Sequence, residues 1–164
     1  MRTPLIYKRR KEGVTDYRRR FRLVKSGMPR LVVRVSKKGI VVQVVEFNPL
    51  GDHVAVSLNS QSLAKAEVEL QGNSTPASYL LGYLAGIKAK KLGIGDTILD
   101  IGRSRLTVGG RIGAVTKGFI DSGCVLPHDE SIFPSDDRVN GNHLKKKLGK
   151  KAMDSMKKKL EGSA

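Results

Sequence analysis

Residues 30–58 read RLVVRVSKKGIVVQVVEFNPLGDHVAVSL. Valine-rich runs alternate there with turn chemistry, and that rhythm decides the fold class. Arg30 to Ser36 alternates, Ile40 to Phe47 repeats the pattern after Lys37, Lys38 and Gly39, and His53 to Leu58 repeats it after Asn48-Pro49-Leu50-Gly51-Asp52. β-Branched side chains suit a pleated, half-buried surface, while Gly, Pro, Asn and Asp supply turn backbone. The stretch predicts a three-stranded antiparallel meander.

Toward the C-terminus, Thr75 and Pro76 offer a cap followed by proline at the first helical position, and Leu80, Leu81, Leu84 and Ile87 keep helical spacing up to Lys88, Lys90, Lys91 and Gly93. Gly82 and Gly86, four apart, imply close approach to a strand or another helix. Asp96 to Ile101, DTILDI, has a nearly continuous apolar centre and reads as a short strand inside the sheet. After a glycine-dotted loop from Gly102 to Gly110, the residues Ile112, Val115, Phe119 and Ile120 mark a second amphipathic helix ending at Gly123. This order predicts an α/β layer in which a right-handed crossover brings a parallel strand to the meander. Residues 124–142 look irregular, and from His143 onward Leu144, Leu148, Ala152 and Met156 fall at fourfold spacing in a basic helix or tail.

Toward the N-terminus the character changes. The first 25 residues hold ten Lys and Arg against Glu12 and Asp16 alone. Thr15 to Lys25 predicts a short helix capped by Thr15, with Tyr17, Phe21 and Val24 as its apolar stripe and Gly27 as its end. By segment, residues 1–38 carry net +12, residues 39–142 net −2 and residues 143–164 net +6. The chain therefore divides into a basic extension (1–28), a nearly neutral α/β domain (29–142) and a basic C-terminal segment (143–164). Concentrated positive charge favours a polyanion, because neutralised phosphates release condensed counterions. Lipid headgroups and acidic proteins stay open as partners at this point. No run of about 18 apolar residues occurs, so neither a membrane span nor secretion is supported and a cytoplasmic protein is expected.

Catalytic and metal constellations are thin. Asp100 at a strand end, with Asp121, Asp129, Asp136 and Asp137, is the only basis for a two-metal nuclease, and the meander adds only Glu46. Cys124, His128 and Asp129 fall short of a four-ligand metal set, and the lone Cys124 reads as a small core residue. Gly109 and Gly110 before a helix could expose amides to a phosphate, with Arg103, Arg105 and Arg111 close by, but P-loop and dinucleotide signatures are absent.

KRRKEGVTDYRRRFRLVKSGMPRLVVRVS, TPASYLLGYLAGIKAKKLG, ILDIG and LPHDESIFPSDDRVNGNH stand in this order across residues 8–143. So arranged, they resemble the archaeal form of the L-eighteen family of large-subunit ribosomal proteins, which bind 5S rRNA. The resemblance implies a three-layer α/β domain with a mixed sheet of ribonuclease-H-like topology. It also implies a location on the ribosome, 5S rRNA, large-subunit rRNA and neighbouring large-subunit proteins as partners, and no membrane, small-molecule substrate, cofactor, metal or catalysis. Its RNA contacts map onto Lys8, Arg9, Arg10, Lys11, Arg18, Arg19, Arg20, Arg22 and Lys25, and onto Arg30, Arg34, Lys37 and Lys38 as sheet-edge positions. Tyr7 and Tyr17 are free to stack on an unpaired base or to pack against the body. The segment DIGRSRLTVGGRIGAV departs from the family, which more often has a bulky apolar residue where Gly113 stands. A metal-dependent nuclease and a membrane-surface protein are the alternatives from other classes.

Overall fold

Each valine-rich run forms a strand in the computed structural model, which describes residues 5–66, 68, 70, 73–144 and 148–163. β1 (Arg30–Val35), β2 (Ile40–Glu46) and β3 (His53–Asn59) are joined antiparallel, in register from Val35 opposite Ile40 to Arg30 opposite Val45. β4 (Ile98–Asp100) then pairs with β1 in parallel, giving the order β3-β2-β1-β4. The expected mixed α/β sheet is thus present. The ribonuclease-H-like label is not carried over, since the described residues show a four-stranded sheet.

Strand alternation explains the two faces. Leu31 and Val33 on β1, with Ile40, Val42 and Val44 on β2 and Val56 and Leu58 on β3, are buried on one side. Against them pack α4 (Thr75–Lys91), through Leu80, Leu81, Leu84 and Ala85, and α5 (Arg111–Asp121), through Ile112, Val115 and Phe119. These two helices approach backbone to backbone: a Cβ at Gly82 would run into the Val115 carbonyl, and one at Gly118 into the Tyr79 carbonyl. The glycine spacing seen in the sequence therefore serves a helix contact. Gly113 has a like reason, because a side chain there would collide with the Ile132 carbonyl, so the bulkier family residue does not fit this backbone.

Several expectations are corrected. β4 is shorter than Asp96–Ile101 and ends the sheet instead of lying inside it; Asp96 makes only a single parallel bridge to Val125. The apolar centre of β4, Ile98 and Leu99, is half-buried rather than enclosed. Ser74, not Thr75, caps α4, accepting from the Ala77 amide at 3.3 Å and moving Thr75 and Pro76 into the first turn. A further short helix, α3 (Ser60–Lys65), follows β3 behind a reciprocal Asn59–Ser62 capping box, a local signal that the strand pattern before it overshadows. α6 (Asp136–Val139) sits in the irregular stretch.

The C-terminal helix α7 (Gly149–Ser163) buries Met153 and Leu160, with Met156 packed beside them, so its stripe is not Leu144-Leu148-Ala152-Met156. Gly149 adopts φ 76° and starts the helix late, which breaks the fourfold spacing read across it. α7 lies on α4: the Tyr83 hydroxyl donates to Glu161 Oε1 at 2.6 Å, and Lys157 Nζ sits 4.9 Å from the Tyr79 ring centre. Burial and the Asp121 carboxylate hold the Tyr79 phenol far above its ordinary pKa, while the Glu161 hydrogen bond, aided by burial, pushes Tyr83 up to about 12. Arg2 and residues 145–147 lie outside the described residues.

Candidate nucleic-acid interface

The other face of the sheet carries Arg30, Val32 and Arg34, since alternation puts them opposite Leu31 and Val33. Over its β1–β4 end lie two basic helices, α1 (Lys8–Lys11) and α2 (Tyr17–Lys25). Asp16, not Thr15, caps α2: its carboxylate accepts from the Arg18 and Arg19 amides at 3.0 and 3.1 Å, and these bonds, Arg19 first, hold it below the usual carboxylate range. Thr15 instead accepts from Arg9 Nε at 3.0 Å.

The apolar stripe of α2 also differs from the expected one. Tyr17, Arg20, Leu23 and Val24 are the half-buried positions, and Phe21 is 68% exposed. Arg20 lies on the inward side, where its guanidinium reaches Asp52 at 2.8 Å, and Phe21 lies away from it. Arg19 Nη1 donates to the Gly102 carbonyl at 3.0 Å, and Arg103 Nη1 donates to the Gly13 carbonyl, so two further arginines fasten arm to body. Between arm and sheet remains a cleft of about 600 Å³ walled by Arg9, Arg19, Arg20, Arg34 and Arg103 against Asp16 and Asp100.

Arg30 is not at a sheet edge, because β1 is flanked there by β2 and β4, whereas Arg34 lies beyond the last β1–β4 pair, Val32 with Asp100. Arg30 is inside: its side chain, 5% exposed, spans Asp52 at 2.6 Å and Asp100 at 3.2 Å. Arg34 remains partly open but is committed to Asp100, through Oδ1 at 3.0 Å and the main-chain carbonyl at 2.6 Å. For Asp100 burial opposes ionisation, yet the Gly102 amide with Arg34 and Arg30 outweighs it and holds the carboxyl below its ordinary range. A buried cation is tolerable only when paired and hydrogen-bonded, which Asp52 and Asp100 supply. Sequence reading missed both partners; the parity shared by Arg30, Val32 and Arg34 was the available signal, but nothing local announced which acids would arrive from the β2–β3 turn and from β4.

The outward set is different. Lys8, Arg9, Arg10 and Lys11 on α1, and Arg18, Arg19, Arg22 and Lys25 on α2, are exposed, as are Lys37 and Lys38 at the hairpin tip. Among the described residues Arg18, Arg22 and Lys25 have no ion-pair partner, whereas Lys8 faces Glu12 at 3.9 Å. Tyr17 packs against Tyr7 with ring centres 5.3 Å apart. Exposed Arg105 stands with half-buried Arg111 and with Arg138 around a second hollow of about 520 Å³. Arg111 donates to Asn73 at 2.8 Å, and Asn73 donates to the Lys37 carbonyl, which ties the hairpin tip to the start of α5. The glycine pair does not expose its amides: Gly109 donates to the Ile132 carbonyl and Gly110 to that of Thr107.

Asp100, on which the nuclease alternative rested, is occupied by arginines; Asp121 accepts from Tyr79 and Asp136 from Lys117. Among the described residues no three His, Cys, Asp or Glu gather as metal ligands would. Cys124 is buried, which pushes its thiol pKa up.

A family described as ribosomal large subunit proteins 60S L5 and 50S L18 matches residues 2–97. Large ribosomal subunit protein uL18 of Picrophilus torridus is 47% identical over 148 residues, covering 90% of this chain and 93% of its own. The uL18 proteins of Thermoplasma acidophilum and Thermoplasma volcanium are 40% and 43% identical over 160 and 162 residues, each spanning 98% of this chain and 98% or more of its own.

Proposed function

The chain belongs to the family of ribosomal large subunit proteins 60S L5 and 50S L18, and from that premise we propose that it is a non-catalytic structural constituent of the large ribosomal subunit whose basic arm binds 5S rRNA. Ribosomal RNA and neighbouring large-subunit proteins are its partners, and its place is on the ribosome. There it anchors 5S rRNA to the large-subunit rRNA in the central protuberance.

The observation that carries this reading is the separation of two arginine sets. Arg30 is buried between Asp52 and Asp100 and the exposed Arg34 is paired with Asp100, while Arg18, Arg22 and Lys25 on α2 and the cations of α1 project outward, Lys8 alone of them facing an acid among the described residues, Glu12. Self-repulsion on that scale is relieved by an anion, and a guanidinium forks onto phosphate oxygens. Electrostatic capture by the arm comes first. The hairpin tip, through Lys37 and Lys38, and the group Arg105 and Arg111 then fix register. RNA of this kind is read by shape and single-stranded elements, so no groove-reading helix is required.

A filter-binding titration with a 5S rRNA transcript across salt concentrations tests the reading. If about eight phosphates are neutralised, log affinity falls with log salt at a slope of roughly −7. A slope near zero overturns it.

A further inference from the structure

The sequence pattern assigns Phe21 to docking the arm, and in the structure it does not dock. On α2 the docking work is done by Leu23, Val24 and Arg20, leaving the Phe21 ring 68% exposed. Residues three and four apart share a helix face, so Phe21 lies beside Arg18 and Lys25, with the exposed Arg22 next to them on the outward side. Among the described residues the ring pairs are Tyr7 with Tyr17 and His128 with Phe133, and Phe21 belongs to neither. A phenyl ring held in water brings the fold nothing, and three cations around it make a poor seat for an apolar protein surface. The same combination suits a single-stranded nucleotide, whose base stacks on an aromatic face while phosphates meet the cations. Charge complementarity therefore selects the occupant.

We infer that Phe21 is a stacking platform for one unpaired base of the bound RNA, with Arg18, Arg22 and Lys25 taking the flanking phosphates. This rests on the proposed RNA-binding role and adds to it a residue that carries no charge. A flat ring and an aliphatic side chain of similar bulk are then not equivalent, which separates stacking from apolar filling.

The full chain contains no tryptophan, so Phe21→Trp introduces a single indole reporter at this site. Binding to a 5S rRNA transcript is measured for the unaltered chain and for Phe21→Ala, Phe21→Leu and Phe21→Trp, each over a salt series. Stacking predicts affinity lowered about five- to a hundredfold in both the Ala and the Leu variants with the salt slope unchanged. It also predicts affinity kept in the Trp variant, with indole emission quenched on adding RNA. The ring is exposed, so unfolding midpoints of all three variants stay at that of the parent. Leu or Ala variants that bind like the parent, or an unquenched indole, overturn the stacking role while a steep parental slope leaves the RNA reading standing. A parental slope near zero overturns both.

Discussion

Arg22 and Arg30 are eight residues apart and carry the same charge, yet one is solvent-exposed on α2 and the other is buried between two aspartates. The difference lies not in the arginines but in what comes to meet them. Asp52 arrives from the β2–β3 turn and Asp100 from the far end of the chain's crossover, and both converge on β1. Among the described residues no acid of the body pairs with the outward cations of α2. Net charge therefore counts cations without saying which are structural; partners distant in sequence decide that.

The largest expected effect tests the buried half of this contrast. Arg30→Ala takes the buried guanidinium from between Asp52 and Asp100, which keep only Arg20 and Arg34, and breaking a buried pair costs up to about 3–5 kcal/mol. Urea unfolding monitored by circular dichroism measures it, and Arg22→Ala in the same experiment stays within about 0.5 kcal/mol of the parent. Equal losses in the two variants would erase the distinction.

Acid separates the regions next. Asp100 has a carboxyl pKa depressed below its ordinary 3.8. Its contribution is fully present above the unfolded value and is lost as pH falls through the folded one. The thermal midpoint should drop steeply below about pH 4 in the parent, and less steeply in Asp100→Asn, which is weaker from the outset. At alkaline pH the sign reverses for Tyr83, whose folded pKa is about 12 against an ordinary 10.0. The unfolded chain releases its proton first, so stability declines as pH rises from about 10 toward 12. Tyr83→Phe removes the hydrogen bond to Glu161 at a cost of about 1 kcal/mol and flattens that decline.

The body of the fold was legible because it obeys local rules. The strands β1, β2 and β3 follow from period-two valine runs, and α4 and α5 from apolar spacing with glycine at their contact. The misreadings share another origin. Thr15 and Thr75 are as plausible by residue type as Asp16 and Ser74, and what distinguishes the pairs is which side chain reaches the first-turn amides from an extended backbone. Tyr17-Phe21-Val24 and Tyr17-Leu23-Val24 are both acceptable stripes on one helix, and the structure has the second, with Arg20 on the same side meeting Asp52. For the same reason no local pattern shows that Arg30 and Arg34 pair with Asp100, which lies 70 and 66 residues away along the chain. The outward cations needed no such partner, so their exposure on α1 and α2 matched their appearance in the sequence.

The most direct measurement replaces Arg18, Arg22 and Lys25 together by Gln in the full chain and compares the salt dependence of 5S rRNA binding with urea stability. The log–log slope should become shallower by about 2 to 3, at roughly 0.7 to 0.9 for each phosphate left unneutralised, while the unfolding midpoint stays where it was. An unchanged slope, or a slope change accompanied by a collapse in stability like that of Arg30→Ala, would contradict the assignment of the outward cations to RNA and the inward ones to the fold.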